Sequence, residues 1–135
     1  MLFRSSFEAV FSPLDQNGRP RKLWDRATGR LDPGVAKAWE AYDIRLVLER
    51  NWPLLGPKLK GKLHVIMGDM DTFYLEGAVK LLKESLIMLG SNADVEIVPG
   101  RDHGTLLDPE LANRLDQEMN AAVRDVRSAN SAAGD

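Results

Sequence analysis

Between Ser12 and Gly34 the apolar positions follow no period. Gly18, Pro20, Gly29, Pro33 and Gly34 punctuate a polar run, which predicts turns and irregular chain. From Asp32 onward the pattern becomes regular. Asp32 and Pro33 form an N-cap and first-turn pair, and Val35, Trp39, Tyr42 and Leu46 recur at helical spacing, predicting a helix that Pro53 stops. Lys62 to Met67 is a short, mostly apolar stretch between Gly61 and Gly68, as expected of a buried strand. Thr72 is placed to cap a second helix with Leu75, Val79, Leu82, Leu86 and Leu89 on one face. Gly90 then stands where a left-handed C′ residue is needed. Val95, Ile97 and Val98 mark a second strand. Asp108 and Pro109 open a third helix carrying Leu111, Leu115, Met119, Ala122 and Val126.

Strands alternating with helices predict parallel pairing, so the fold class is α/β: two parallel strands alternating with three helices, preceded by a long irregular loop. The expected organisation is an irregular basic loop or extension over residues 1–34, an α/β segment over 35–127 and a disordered tail over 128–135. Two strands are few for a parallel sheet, which needs cover on both faces. The expected partner is therefore an upstream segment of a larger sheet, or a second copy joined through the open edge.

Composition narrows the function. The 135 residues are 44% hydrophobic and 28% charged, with a formal net charge of −2, no cysteine and two histidines. Disulfides, thiol nucleophiles and thiolate metal sites are excluded, and so is a three-histidine zinc site within one chain. No stretch has the apolar run of a signal peptide or a membrane span, which gives the expectation of a soluble, cytoplasmic protein. A slightly acidic balance supplies no general attraction to phosphate backbones. Arg19, Arg21, Lys22, Arg26 and Arg30 against Asp25 make residues 19–30 locally basic. They read as a solvated loop anchored by Trp24, since no aromatic residues alternate with the charges as a nucleic-acid groove requires.

The candidate chemistry lies after the two strands, because open α/β sheets build sites at the carboxyl ends of strands. Strand one leads into Gly68-Asp69-Met70-Asp71-Thr72, and strand two into Pro99-Gly100-Arg101-Asp102-His103-Gly104-Thr105. If the strands are neighbours, Asp71 and His103 meet on adjacent loops. A carboxylate there accepts the imidazole Nδ1 proton, fixes the tautomer and stabilises the imidazolium formed when histidine acts as general base.

This order resembles the C-terminal end of an α/β-hydrolase, the serine esterase branch in particular. There a late strand ends in Gly-x-x-Asp with the triad acid, and the last strand leads to the catalytic histidine before a final helix. Gly68-Asp69-Met70-Asp71 matches the acid turn and assigns the acid to Asp71. Pro99-Gly100-Arg101-Asp102-His103-Gly104 matches the histidine loop, and the likeness covers residues 60–125 best. The resemblance implies ester hydrolysis through an acyl-enzyme, with a small ester as substrate and no cofactor or metal. The chain departs from the family at the nucleophile: none of its serines stands in a Gly-x-Ser-x-Gly elbow. The expectation is a chain inactive alone that supplies the acid and histidine of a Ser-His-Asp triad.

Blander and competing readings apply to the same residues. Asp69 and Asp71 suit helix capping, His103 suits a loop residue bonded to Asp102, and His64, inside the apolar strand, suits a satisfied or an edge histidine. Trp39, Tyr42, Trp52, Phe73 and Tyr74 read as packing residues. The Asp-x-Asp pair also resembles the nucleophile loop of haloacid-dehalogenase-like phosphatases, with Asp69 as nucleophile, Asp71 as acid/base and a magnesium ion. Phe73 occupies the position where that family has Thr or Val. A hard-cation site from Asp69, Asp71 and Asp102 is a further candidate. The alternative from another class is a non-catalytic interaction module that packs its sheet edge on a partner.

Overall fold

The structure, a computed structural model, describes the backbone of residues 3–132 and the side chains of residues 7–125. Over these residues the fold is mixed α/β, with five α-helices and a two-stranded parallel sheet. The helices are α1 (Phe3–Phe11), α2 (Pro33–Trp39), α3 (Ile44–Leu59), α4 (Glu76–Met88) and α5 (Pro109–Ala132); the strands are β1 (His64–Gly68) and β2 (Asp94–Val98). The chain forms two compact units, Met1–Lys62 with Glu84–Asn92, and Leu63–Lys83 with Ala93–Asp135. The boundary between them runs through α4.

In the first unit the region expected to be irregular is more ordered than its lack of period suggests. Helix α1 occupies its start, and Phe7 and Phe11, one helical turn apart, stack with ring centroids 6.2 Å apart. Two short antiparallel bridges follow, Leu14 with Pro20 and Trp24 with Leu31. Each closes over a turn pinned by an aspartate. Asp15 accepts the N–H groups of Asn17 and Arg19, and Asp25 those of Ala27 and Thr28, with Gly18 and Gly29 at φ +72°.

Asp32 caps α2 as expected, accepting the N–H groups of Gly34 and Val35, and Val35 is fully buried. The single helix expected from Asp32 to Pro53 is broken. After a 3₁₀ turn at Glu40–Tyr42, Asp43 adopts an extended conformation (φ −72°, ψ 111°). It caps α3 by accepting the Leu46 N–H. Pro53 does not stop α3, which contains both Pro53 and Pro57. An interior proline costs about 3 kcal/mol, and anchoring just before it, through buried Leu48 and through Glu49, offsets part of that cost. Leu48 is buried, Glu49 accepts from Arg45 and from the Ser85 hydroxyl, and the Trp52 indole lies over the Cα of Gly56.

Helix α4 ends as the glycine predicts. Gly90 is at φ +67°, the Ser91 N–H reaches the Leu86 carbonyl at 2.9 Å, and the Gly90 N–H reaches that of Ile87 at 3.0 Å.

In the second unit β1 and β2 pair in parallel, from His64 opposite Asp94 to Gly68 opposite Val98. Neither strand has a second neighbour among the described residues. Buried Val79 and Val95 form the unit's small core, and His64, exposed, is the first residue of β1 rather than lying inside it. Asp108 caps α5 by accepting the Leu111 N–H at 2.9 Å, with Pro109 in the first turn.

Two expectations are corrected in this unit. Thr72 does not cap α4, because residues 72–75 form a turn held by Asp71 and the helix begins at Glu76. The disordered tail expected from residue 128 is helical as far as Ala132, since Ala, Ser and Asn with no proline continue the helix. Its last three residues lie outside the described ones. No described helix is long and apolar enough to cross a membrane.

Candidate functional site

Parallel register places the ends of β1 and β2 side by side, and the two following loops are hydrogen-bonded together. The Asp69 N–H donates to the Val98 carbonyl at 3.0 Å and the Met70 N–H to the Arg101 carbonyl at 3.0 Å; the Asp69 carboxylate accepts the Gly100 N–H at 2.6 Å. Gly68 makes this approach possible. A Cβ there would lie 2.1 Å from the Arg101 carbonyl oxygen. Gly100, at φ +68°, turns the second loop.

This scaffold brings Asp71 and His103 together across thirty-two residues, with Oδ2 and Nδ1 2.9 Å apart. The two side chains have opposite environments. Asp71 is buried, with 1% of its side chain exposed, while the His103 side chain is 56% exposed. The other Asp71 oxygen accepts the N–H groups of Phe73 at 2.9 Å and Leu75 at 3.3 Å. Burial pushes the Asp71 carboxyl up; the His103 hydrogen bond, then those of Phe73 and Leu75, outweigh it and hold the group below its ordinary value. Asp71 is thus a carboxylate at neutral pH. It engages Nδ1 and leaves Nε2 as the nitrogen not used by the acid. The Phe73 ring meets the imidazole edge to face, centroids 4.7 Å apart at 83°.

His103 does not bond to Asp102. The Asp102 carboxylate turns back on its own loop, accepting the N–H groups of Gly104 and Thr105 and the Thr105 hydroxyl, which hold its pKa down. Arg101 pairs with Asp108 at 2.7 Å, tying the histidine loop to the start of α5. Asp69, Asp71 and Asp102 are each engaged by N–H donors, and no group of three His, Cys, Asp or Glu suited to a metal ion occurs among the described residues.

Some aromatic residues read as packing are open. Phe73 is 65% exposed and Tyr74 is 83% exposed, and Tyr74 holds a left-handed φ of 59°. This strained turn is not legible in the sequence, because Tyr carries no preference for that conformation. The unit that holds His103 has no serine among its described side chains. Compared with known proteins, the chain matches no family model, no curated protein and no solved structure.

Proposed function

We propose that Asp71 and His103 form the acid and base of a Ser-His-Asp hydrolase centre, the serine coming from a polypeptide segment outside this chain. The carrying observation is the 2.9 Å contact between Nδ1 of an exposed imidazole and a buried carboxylate. In this reading Nε2 of His103 takes the serine proton as the hydroxyl attacks an ester carbonyl. The imidazolium, stabilised by Asp71, then protonates the departing alcohol, and water releases the acyl group by the same route. The order of the acid turn, helix, strand and histidine loop, similar to that of α/β-hydrolases, supports it. A positioned base contributes about 10²–10⁴-fold, and only toward a nucleophile within reach. The chain alone is therefore expected to hydrolyse p-nitrophenyl acetate no faster than free imidazole at equal concentration. Co-expression with the polypeptide encoded immediately upstream should give hydrolysis that His103→Ala lowers at least 100-fold. An active complex indifferent to His103→Ala overturns the assignment.

A second reading, an interaction module, is favoured by the sheet itself. Among the described residues both strands have one partner, and Met70, Phe73 and Leu107 in the same unit are at least 65% exposed. The isolated chain should then elute above its monomer mass and enhance the emission of a hydrophobic dye. A dye-silent monomer with a sharp, cooperative melt contradicts this reading.

A further inference from the structure

A second candidate site lies in the first unit and makes no use of the histidine. Glu8 on α1 is only 6% exposed, and its Oε1 is buried with no hydrogen-bond partner among the described residues. It lines an open cleft of about 410 Å³ whose other walls are Phe7, Trp24 and Trp39. No lysine or arginine is among these four.

The walls are held in place. Trp24 begins the bridge to Leu31, and the Trp39 indole N–H donates to Ser12 Oγ at 2.9 Å, with Phe11 edge-on at 5.8 Å. A buried carboxyl oxygen without a donor is costly, and protonation of the group, a hydrogen-bond donor or a cation relieves that cost. Aromatic faces attract cations through their ring quadrupoles, most strongly for tryptophan.

From these observations we infer that the cleft formed by Glu8, Phe7, Trp24 and Trp39 binds an alkylated ammonium ion that retains one N–H. The N–H donates to Glu8 Oε1 and the alkyl groups lie against the rings. Its volume suits such a group, since small-ligand sites span roughly 300–1,000 Å³. The same chemistry is carried by a free tertiary amine and by a dimethylated lysine side chain.

The test is a saturation series on the full chain, read by tryptophan emission at pH 7. The probes are N,N-dimethylethanolamine, a cation with one N–H; choline, a cation with none; and 3,3-dimethylbutan-1-ol, neutral and of similar shape. Dimethylethanolamine should bind at least tenfold more tightly than the neutral alcohol and more tightly than choline. Glu8→Gln, checked for folding by circular dichroism, should remove the preference for the cation. A dimethyl-lysine peptide separates the sources: tighter binding than dimethylethanolamine assigns the site to a protein side chain, weaker binding to a free amine. Equal affinity for the alcohol, equal affinity for choline, or no saturation by any probe overturns the proposal. The three-probe comparison on the unaltered chain decides it even if Glu8→Gln fails to fold.

Discussion

Gly68→Ala should destabilise the second unit more than alanine at any other glycine of that unit. The added carbon would sit 2.1 Å from the Arg101 carbonyl oxygen and 2.6 Å from its carbon, and that carbonyl already accepts the Met70 N–H. Backbone stands in the way, so no flexible side chain can swing aside. The loops must part, breaking the hydrogen bonds that join Asp69 and Met70 to the histidine loop. Overpacking of this kind costs about 3 kcal/mol, which lowers the melting temperature by roughly 10 °C in a domain of this size. Two controls frame the result. Gly100→Ala meets open space and bears only the strain of its left-handed φ, about 1 kcal/mol. Gly77→Ala, in α4 with nothing within 4 Å, should be neutral or slightly stabilising. A Gly68→Ala protein that melts with the unaltered chain would show that the two loops do not approach this closely.

That glycine also illustrates what the sequence can reveal. Gly68 is legible as the end of a strand and the start of an acid turn, but a close approach by a backbone thirty-three positions away leaves no local mark. The caps are legible for the opposite reason. Asp32-Pro33, Asp108-Pro109 and Gly90 act on N–H and C=O groups within four residues, so their chemistry is written beside them. The pairing of Asp71 with His103 follows from two legible strands and one assumption, that they are neighbours. Two further local signals stand in the region expected to be irregular: Phe7 and Phe11 one turn apart, and the Asp-to-Gly turns at 15–18 and 25–29. The break at Asp43 is hidden because the apolar spacing continues across it. The persistence of α3 through Pro53 draws on the contact between Glu49 and Ser85, thirty-six positions apart, which no local pattern reports. The burial of Glu8 likewise arises from Trp24 and Trp39, far along the chain.

Asp71→Ala and His103→Ala should both destabilise the fold, the first by more than the second. Removing Asp71 leaves the N–H groups of Phe73 and Leu75 without their acceptor, beneath a Tyr74 held at φ 59°. A left-handed non-glycine residue costs roughly 1–2 kcal/mol, and Asp71 is what holds this one in place. Asp71→Ala should therefore lower the melting temperature by several degrees, and adding Tyr74→Gly should recover part of the loss. His103→Ala removes the donor to the buried Asp71 Oδ2 and the edge contact with Phe73 and should cost about 1 kcal/mol, the low end for a lost donor because the 56% exposed ring position gives water a path to that oxygen. Acid supplies an independent check. Because the folded Asp71 carboxyl titrates below its unfolded value, its contribution is fully present above the unfolded pKa and is lost as pH falls through the folded one. The window lies below about pH 4. Asp25, Asp32, Glu40, Glu49 and Asp102 are shifted the same way and add to the acid loss. Asp71→Ala should flatten that loss without abolishing it, as read from melting temperatures between about pH 2.5 and pH 6. If instead His103→Ala destabilises the fold more than Asp71→Ala, the imidazole and not the carboxylate is what anchors this turn.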